Sequence, residues 1–297
     1  MDPQSASAMA VAWARFGLGR RGAEPPPDDP RAWLRQQINQ PDPGPPGPSS
    51  ADALRGLQFD RVNQLPPAER MTGRLLRTEA VAALQWRIDS RMPFRERLVA
   101  FWSNHFAVAV RQGPAGAVAA AFVREAIRPH VNGSFADMLL AVMRHPAMLF
   151  YLDNAQSVGP QSPQGRRSGA GLNENLAREC LELHTVSPAA GYTQQDVTAF
   201  AAVLTGWSVE VAHEPVGFVF RPNTHEPGAK TVLGRSFPEG EEGGRAALAF
   251  LATHPATLHH LALKLARHFT ADTPPPMAVA RIEAALHDSG GHLGAAA

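Results

Sequence analysis

The 297-residue sequence holds a single cysteine, Cys180, so an intrachain disulfide is excluded. No apolar run approaches the ~20 residues that cross a bilayer, and no membrane span is expected. The formal net charge is +1, which excludes the basic footprint of a nucleic-acid binder. The N-terminal stretch lacks a basic segment followed by an apolar core and a cleavage site. As written, the chain carries no export signal and reads as cytoplasmic. Lysine is nearly missing: among 28 basic residues only Lys230 and Lys264 are lysines, the rest being Arg. Tyrosine is reduced to Tyr151 and Tyr192. A GC-rich genome explains this bias, and it makes the surviving residues informative. Arg is a planar, permanently charged fork, whereas a Lys ammonium can lose its proton.

Hydrophobic residues make up 44% and charged residues 19%, an ordinary globular balance that excludes disorder. Apolar spacing predicts helices over 69–89, from Pro93, over 115–128 and over 135–144. The 115–128 segment is Ala-rich and apolar on most faces, which places it centrally. Thr193 opens a capping-box-like start for a helix to about Thr205, and Trp207 to Phe220 alternates like a small hairpin. Helices are further expected over 240–253, 256–268 and 277–287. Residues 22–50 are Pro-rich and read as a poorly ordered surface segment around a helical patch, Arg31 to Asn39. No repeat of fixed period occurs. The expectation is an all-α, multi-helix single domain over 1–297 with a small β-hairpin.

The segment Asn173–His184 is the most informative. On a helix, Asn175, Glu179 and Glu182 share one face, opposite the core stripe of Leu176, Cys180 and Leu183. Two carboxylates three residues apart can share a cation or raise each other's pKa. The structural alternative is a solvated face. Upstream, Arg166 and Arg167 in a Gly-rich loop, with Asn173 and a helix start, suit an anion; solvated arginines are the plain alternative. His105 lies among Trp102 and Phe106, and is either a bonded core imidazole or a ligand. His145 precedes Pro146 and suits a cap. Tyr151, Asp153 and Asn154 can turn the chain or add oxygen ligands. His225 and Lys230 flank a Pro-Gly turn. His260, Lys264 and His268, spaced by four, line a helix face expected to pair with Glu179 and Glu182. There is no HExxH, GxSxG, Walker A or GxGxxG signature, and no Glu-x-x-His pair.

Taken in order, WARFGLG (13–19), RERLVAFWSNHF (95–106), HPAMLFYLDN (145–154), GLNENLARECLELHT (171–185), GYTQQDV (191–197), LTGW (204–207), HEPGAKTVLG (225–234) and HPATLHHLALKLARHF (254–269) resemble a large bacterial family, domain of unknown function 1800. The resemblance implies a mostly helical protein without a characterised reaction. It also implies kinship with proteins that often carry twin-arginine export signals and are encoded beside a sulfatase-like family. This chain lacks the signal, has Cys180 where an aliphatic residue is usual, and stops at GGHLGAAA where relatives continue. It therefore reads as a shortened member.

The leading expectation is a polar pocket on the Asn175/Glu179/Glu182 face. Glu179, Glu182, His105, His184 and Lys230 are its acid, base and orienting candidates. Glu179, Glu182, His145, Asp153 and His225 are its candidate ligands for a divalent metal. Arg166, Arg167, Asn173, Asn175 and Tyr151 would hold an anionic small molecule. This arrangement suggests a metal-assisted hydrolase. The alternative is a non-enzymatic assembly partner of a sulfatase-like protein, with the same residues forming a structural network.

Overall fold

A computed structural model describes residues 8–20, 22, 28–109 and 113–297. Helix accounts for 63% of it, which settles the class as all-α. The helices are α1 (Pro30–Asn39), α2 (Ser50–Val62), α3 (Met71–Asp89), α4 (Pro93–His105), α5 (Pro114–Phe122), α6 (Phe135–Arg144), α7 (Pro146–Tyr151), α8 (Pro163–Ser168), α9 (Asn175–Glu179), α10 (Gln194–Leu204), α11 (Glu241–Ala252), α12 (Pro255–Phe269), α13 (Pro276–Asp288) and α14 (Leu293–Ala296). None of the described helices is long and apolar enough to cross a membrane.

The chain's abundant proline has a clear use. α1, α4, α5, α7, α8, α12 and α13 each begin on proline. The first helical position has no intrahelical partner for its N–H, so proline costs nothing there and its fixed φ suits the turn. α10 opens with the expected capping box between Thr193 and Asp196. α2 opens with a second, between Ser49 and Asp52.

α5 is central as expected: α2, α3 and α7 all pack on it. Its buried face is Gly116, Ala117, Val118, Ala121 and Phe122, and the small Gly116, Ala117 and Ala121 let neighbouring helices approach closely. One hydrophobic cluster extends from Ile38 through this helix to Leu293. Two antiparallel hairpins complete the fold. β1 (Trp207–Glu210) pairs with β2 (Gly217–Phe220), with Trp207 opposite Phe220. β3 (Lys230–Val232) pairs with β4 (Arg235–Phe237), with Lys230 opposite Phe237. The second hairpin is unexpected, because its strands are too short to show an alternation in sequence.

Of the Pro-rich stretch, residues 23–27 lie outside the described residues. The part after α1 is fastened rather than loose. Asp42, its side chain 1% exposed, accepts from Arg95 Nε at 3.1 Å and from Arg128 at 2.8 Å. Arg128 also forks onto Glu96 at 2.8 and 2.6 Å. Trp86 Nε1 donates to the same carboxylate at 3.0 Å. Two guanidinium groups and two carboxylates thus neutralise one another inside the core. Breaking such a buried set leaves a charge without its partner. Glu96→Gln is expected to lower unfolding free energy by roughly 3–5 kcal/mol in guanidinium titrations. A loss under about 1 kcal/mol, the size of an exposed pair, would show that the quartet does not hold this end of α4.

Candidate functional site at the end of the Asn175–His184 helix

The helix carrying the NEN motif is not α-helical throughout. α9 ends at Glu179, and Cys180–His184 forms a π turn. Such turns insert an extra residue and re-aim the side chains that follow. Glu179 and Glu182 therefore stay together, half-buried, on one side. Burial and then the neighbouring Glu182 raise the Glu179 pKa, while Arg178 opposes them. Tyr192 lies beside them: burial and Glu182 raise its pKa. Asn175 is exposed at the helix start.

His184 faces the other way, into the core. The last carbonyls of a helix have no backbone donor of their own, and here imidazoles supply it. His105 Nε2, at the end of α4, lies 3.1 Å from the His184 carbonyl. His260 Nε2, on α12, lies 3.2 Å from the Leu183 carbonyl. A carbonyl only accepts, so both Nε2 atoms carry the proton. The His105 ring lies 5.7 Å from His184 and 6.3 Å from His260, centroid to centroid. Trp102, Phe106 and Phe135 enclose His105 at 5.3, 4.5 and 6.3 Å.

Burial pushes His105 well below the ordinary imidazole range, and Lys264 and His184 add to this. Burial and then Lys264 lower His184 to about 4. Burial lowers His260 too, with Lys264 contributing. Lys264 itself is lowered by burial alone. Among the described residues, none of these four groups has an ion pair with a carboxylate. Lys264, four residues beyond His260, has no hydrogen bond or ion pair among the described residues. The Nδ1 atoms of His105 and His184 are buried without a partner. The expected pairing of His260 and Lys264 with Glu179 and Glu182 therefore does not form. His268, at the exposed end of the stripe, lies 5.2 Å from the Phe101 ring.

The other expected site residues are placed elsewhere, and their lone pairs are in use. His145 Nδ1 accepts from Ala147 N–H at 3.1 Å, capping α7, and Nε2 lies 3.1 Å from Glu125. His225 Nδ1 donates to the Thr205 carbonyl at 2.7 Å, and Nε2 accepts from Gly240 N–H at 2.9 Å and Lys230 Nζ at 3.2 Å. Lys230 is 8% exposed and also donates to the Glu226 carbonyl, so it fixes its own turn instead of orienting a ligand. Neither imidazole retains a free lone pair for a metal. Asp153 is exposed, with φ 57°.

The metal set of Glu179, Glu182, His145, Asp153 and His225 therefore does not assemble. Among the described residues, no group of three or more His, Cys, Asp or Glu is placed to hold a metal ion. Nor do the anion-binding candidates gather. Arg166 and Arg167 are exposed in the last turn of α8, and Tyr151 is exposed as the last residue of α7. Asn173 Oδ1 accepts from Asn175 N–H at 2.9 Å, a local turn. Cys180 is fully buried and its thiol is pushed up by burial, as a core residue.

The residues missing from the expected set are His260 and Lys264. Their spacing was visible; their partners were not. Neutral buried imidazoles carry a sign that can be tested. Unfolded imidazoles take up protons near pH 6.5, while the native His184 resists to about pH 4. Stability is therefore complete above the ordinary imidazole range, falls as pH drops through that window, and levels off below it. His184 alone contributes roughly 3 kcal/mol to this fall. Urea titrations should show a shallower acid slope in His184→Gln; parallel slopes in variant and wild type would refute the assignment.

Comparison with curated proteins finds no match, and comparison with solved structures finds none either. The model of a family described as "Protein of unknown function (DUF1800)" matches residues 11–297. That match spans nearly the whole chain, so the chain belongs to the DUF1800 family.

Proposed function

We propose that this protein binds an anionic small molecule where α4, the π turn and α12 meet, and exchanges a proton with it there. The observation that carries this reading is the half-buried Lys264, without a hydrogen bond or ion pair among the described residues, on the helix that brings His260 to the turn where the Nδ1 atoms of His105 and His184 are buried without partners. A buried imidazole nitrogen without a donor is costly to keep unless something outside the chain completes it. A bound anion would supply the absent negative charge. It would also raise the imidazole pKa values, so binding takes up protons. Lys264 then offers donors, and the bare Nδ1 atoms of His105 and His184 accept protons. The hydrolase expected from the sequence keeps only its acid–base half on this reading, because its metal ligands do not meet. Glu179 and Glu182 lie on the far side of the π turn, with Tyr192.

One observation favours a second reading, a protein-docking role. Val81, Leu84 and Ile88 are 68%, 60% and 55% exposed and form a stripe along α3. On that reading Leu84→Glu would abolish association with a sulfatase-like partner protein and leave anion binding intact.

Sulfate is a suitable probe, because its charge is constant across the relevant pH. Calorimetric titration should show binding that strengthens from pH 8 to pH 6, with proton uptake revealed by buffers of different ionisation enthalpy. Lys264→Met should weaken it by about tenfold, the loss of one charge-assisted contact. Equal binding by variant and wild type, or binding without proton uptake, would sink the proposal.

A further inference from the structure

The anion site holds a lysine where a simple anion clamp would be better served by arginine. Arginine presents a planar fork that matches carboxylate and sulfate oxygens two at a time. This chain uses Arg at every basic position except Lys230 and Lys264. The two lysines have opposite circumstances. Lys230 is held by the Glu226 carbonyl and by His225 Nε2. Lys264 is held by nothing among the described residues, is half-buried, and stands one helical turn from His260. What Lys can do and Arg cannot is present a neutral amine as a nucleophile.

We propose that Lys264 forms an imine with the carbonyl carbon of a small ligand that also carries an acidic group. This rests on the anion-site reading and names its substrate class: a keto or aldehyde acid. The acidic group is answered by the imidazoles, which take up protons as it binds, and the carbonyl meets the neutral amine of Lys264. The Nζ lone pair attacks the carbonyl carbon, and the C=O π pair moves onto oxygen, which takes a proton from an imidazolium. Nitrogen releases a proton to an imidazole, giving a neutral carbinolamine. The hydroxyl then takes that proton back from the imidazolium and leaves as water while the nitrogen pair closes the C=N bond, and the protonated imine returns its N–H proton to the imidazole. One amine and one carbonyl give one imine and one water, with no oxidant or reductant consumed. His260, one helical turn before Lys264, and His184, which feels the Lys264 charge, are the imidazoles that serve these transfers. Burial also favours the neutral amine of Lys264 over its ammonium, which the attack requires.

The test uses the full chain with glyoxylate, which carries both an aldehyde and a carboxylate, and cyanoborohydride to trap any imine as a stable secondary amine. Peptide mass spectrometry should place the reduced adduct on Lys264, with Lys230 unmodified. Sulfate should slow its formation in proportion to site occupancy. His260→Gln should slow trapping several-fold near neutral pH, by loss of a positioned proton carrier. Lys264→Arg should abolish the adduct. If sulfate binds the wild type but Lys264 is trapped no faster than the terminal amine of Met1, the imine is refuted and the anion site stands. If trapping at Lys264 is indifferent to sulfate, the link between amine and anion site is refuted. If wild type neither binds sulfate nor is trapped, both fall together.

Discussion

The site depends on how one helix end finds its hydrogen-bond donors. The π turn at Cys180–His184 leaves the Leu183 and His184 carbonyls without backbone donors, and His260 and His105 provide them from two other helices. An unmet buried carbonyl is costly, so the His105 contact fixes α4 against the turn, and the exposed His260 contact adds α12 at its outer side. They also fix a tautomer. With the proton on Nε2, neutral His105 has a lone pair on Nδ1, and that atom is buried with no donor. A structural need thereby creates a chemical opportunity: the cap uses half of each imidazole and leaves the other half available.

The same accounting separates the structural histidines from the rest. His145 and His254 each stand before a proline and use Nδ1 to cap the helix that follows. His225 has a hydrogen-bond partner on both nitrogens, one of them the amine of Lys230. Each of these is a finished arrangement. Around His105, His184, His260 and Lys264 the accounting does not close, because two buried Nδ1 acceptors have no donor and Lys264 has no ion pair among the described residues. The contrast within one chain is what makes the open cluster informative.

Much of the fold was legible because its signals are local. Pro at a helix start, a Thr or Ser cap three residues before an acid, and a 3.6-residue apolar period all act within one turn. α6 falls where its periodicity places it, over Phe135–Arg144. α2 was missed; its outer face exposes Phe59 and Val62, which blurs the amphipathic pattern. The site was legible only in pieces. His105, Glu179, Glu182 and His184 are all candidates in the sequence, but His184 stands two residues after Glu182 and so faces the opposite side of the helix from the acids. The π turn itself is announced by no period in the sequence. His260 and Lys264 were visible as a stripe, but opposite charge suggested the wrong partner. Charge complementarity ranks pairings only when the geometry allows them, and here carbonyls lie where carboxylates were expected.

α4 shows how the fold accommodates an uncompensated cluster. Its first turns carry Arg95 and Glu96, which lie in the buried quartet with Asp42 and Arg128. Its last residue is His105. The quartet neutralises itself, so it is a rigid anchor with no demand on a ligand. The far end meets the opposite condition. A helix C-terminus carries partial negative charge, and the carbonyls of the π turn add more. These dipoles soften the repulsion among the imidazoles and Lys264 without abolishing it, since His105 and His184 are both kept neutral. One rod therefore joins a closed electrostatic anchor to an open electrostatic site. A bound anion would finish the second end as Asp42 and Glu96 finish the first.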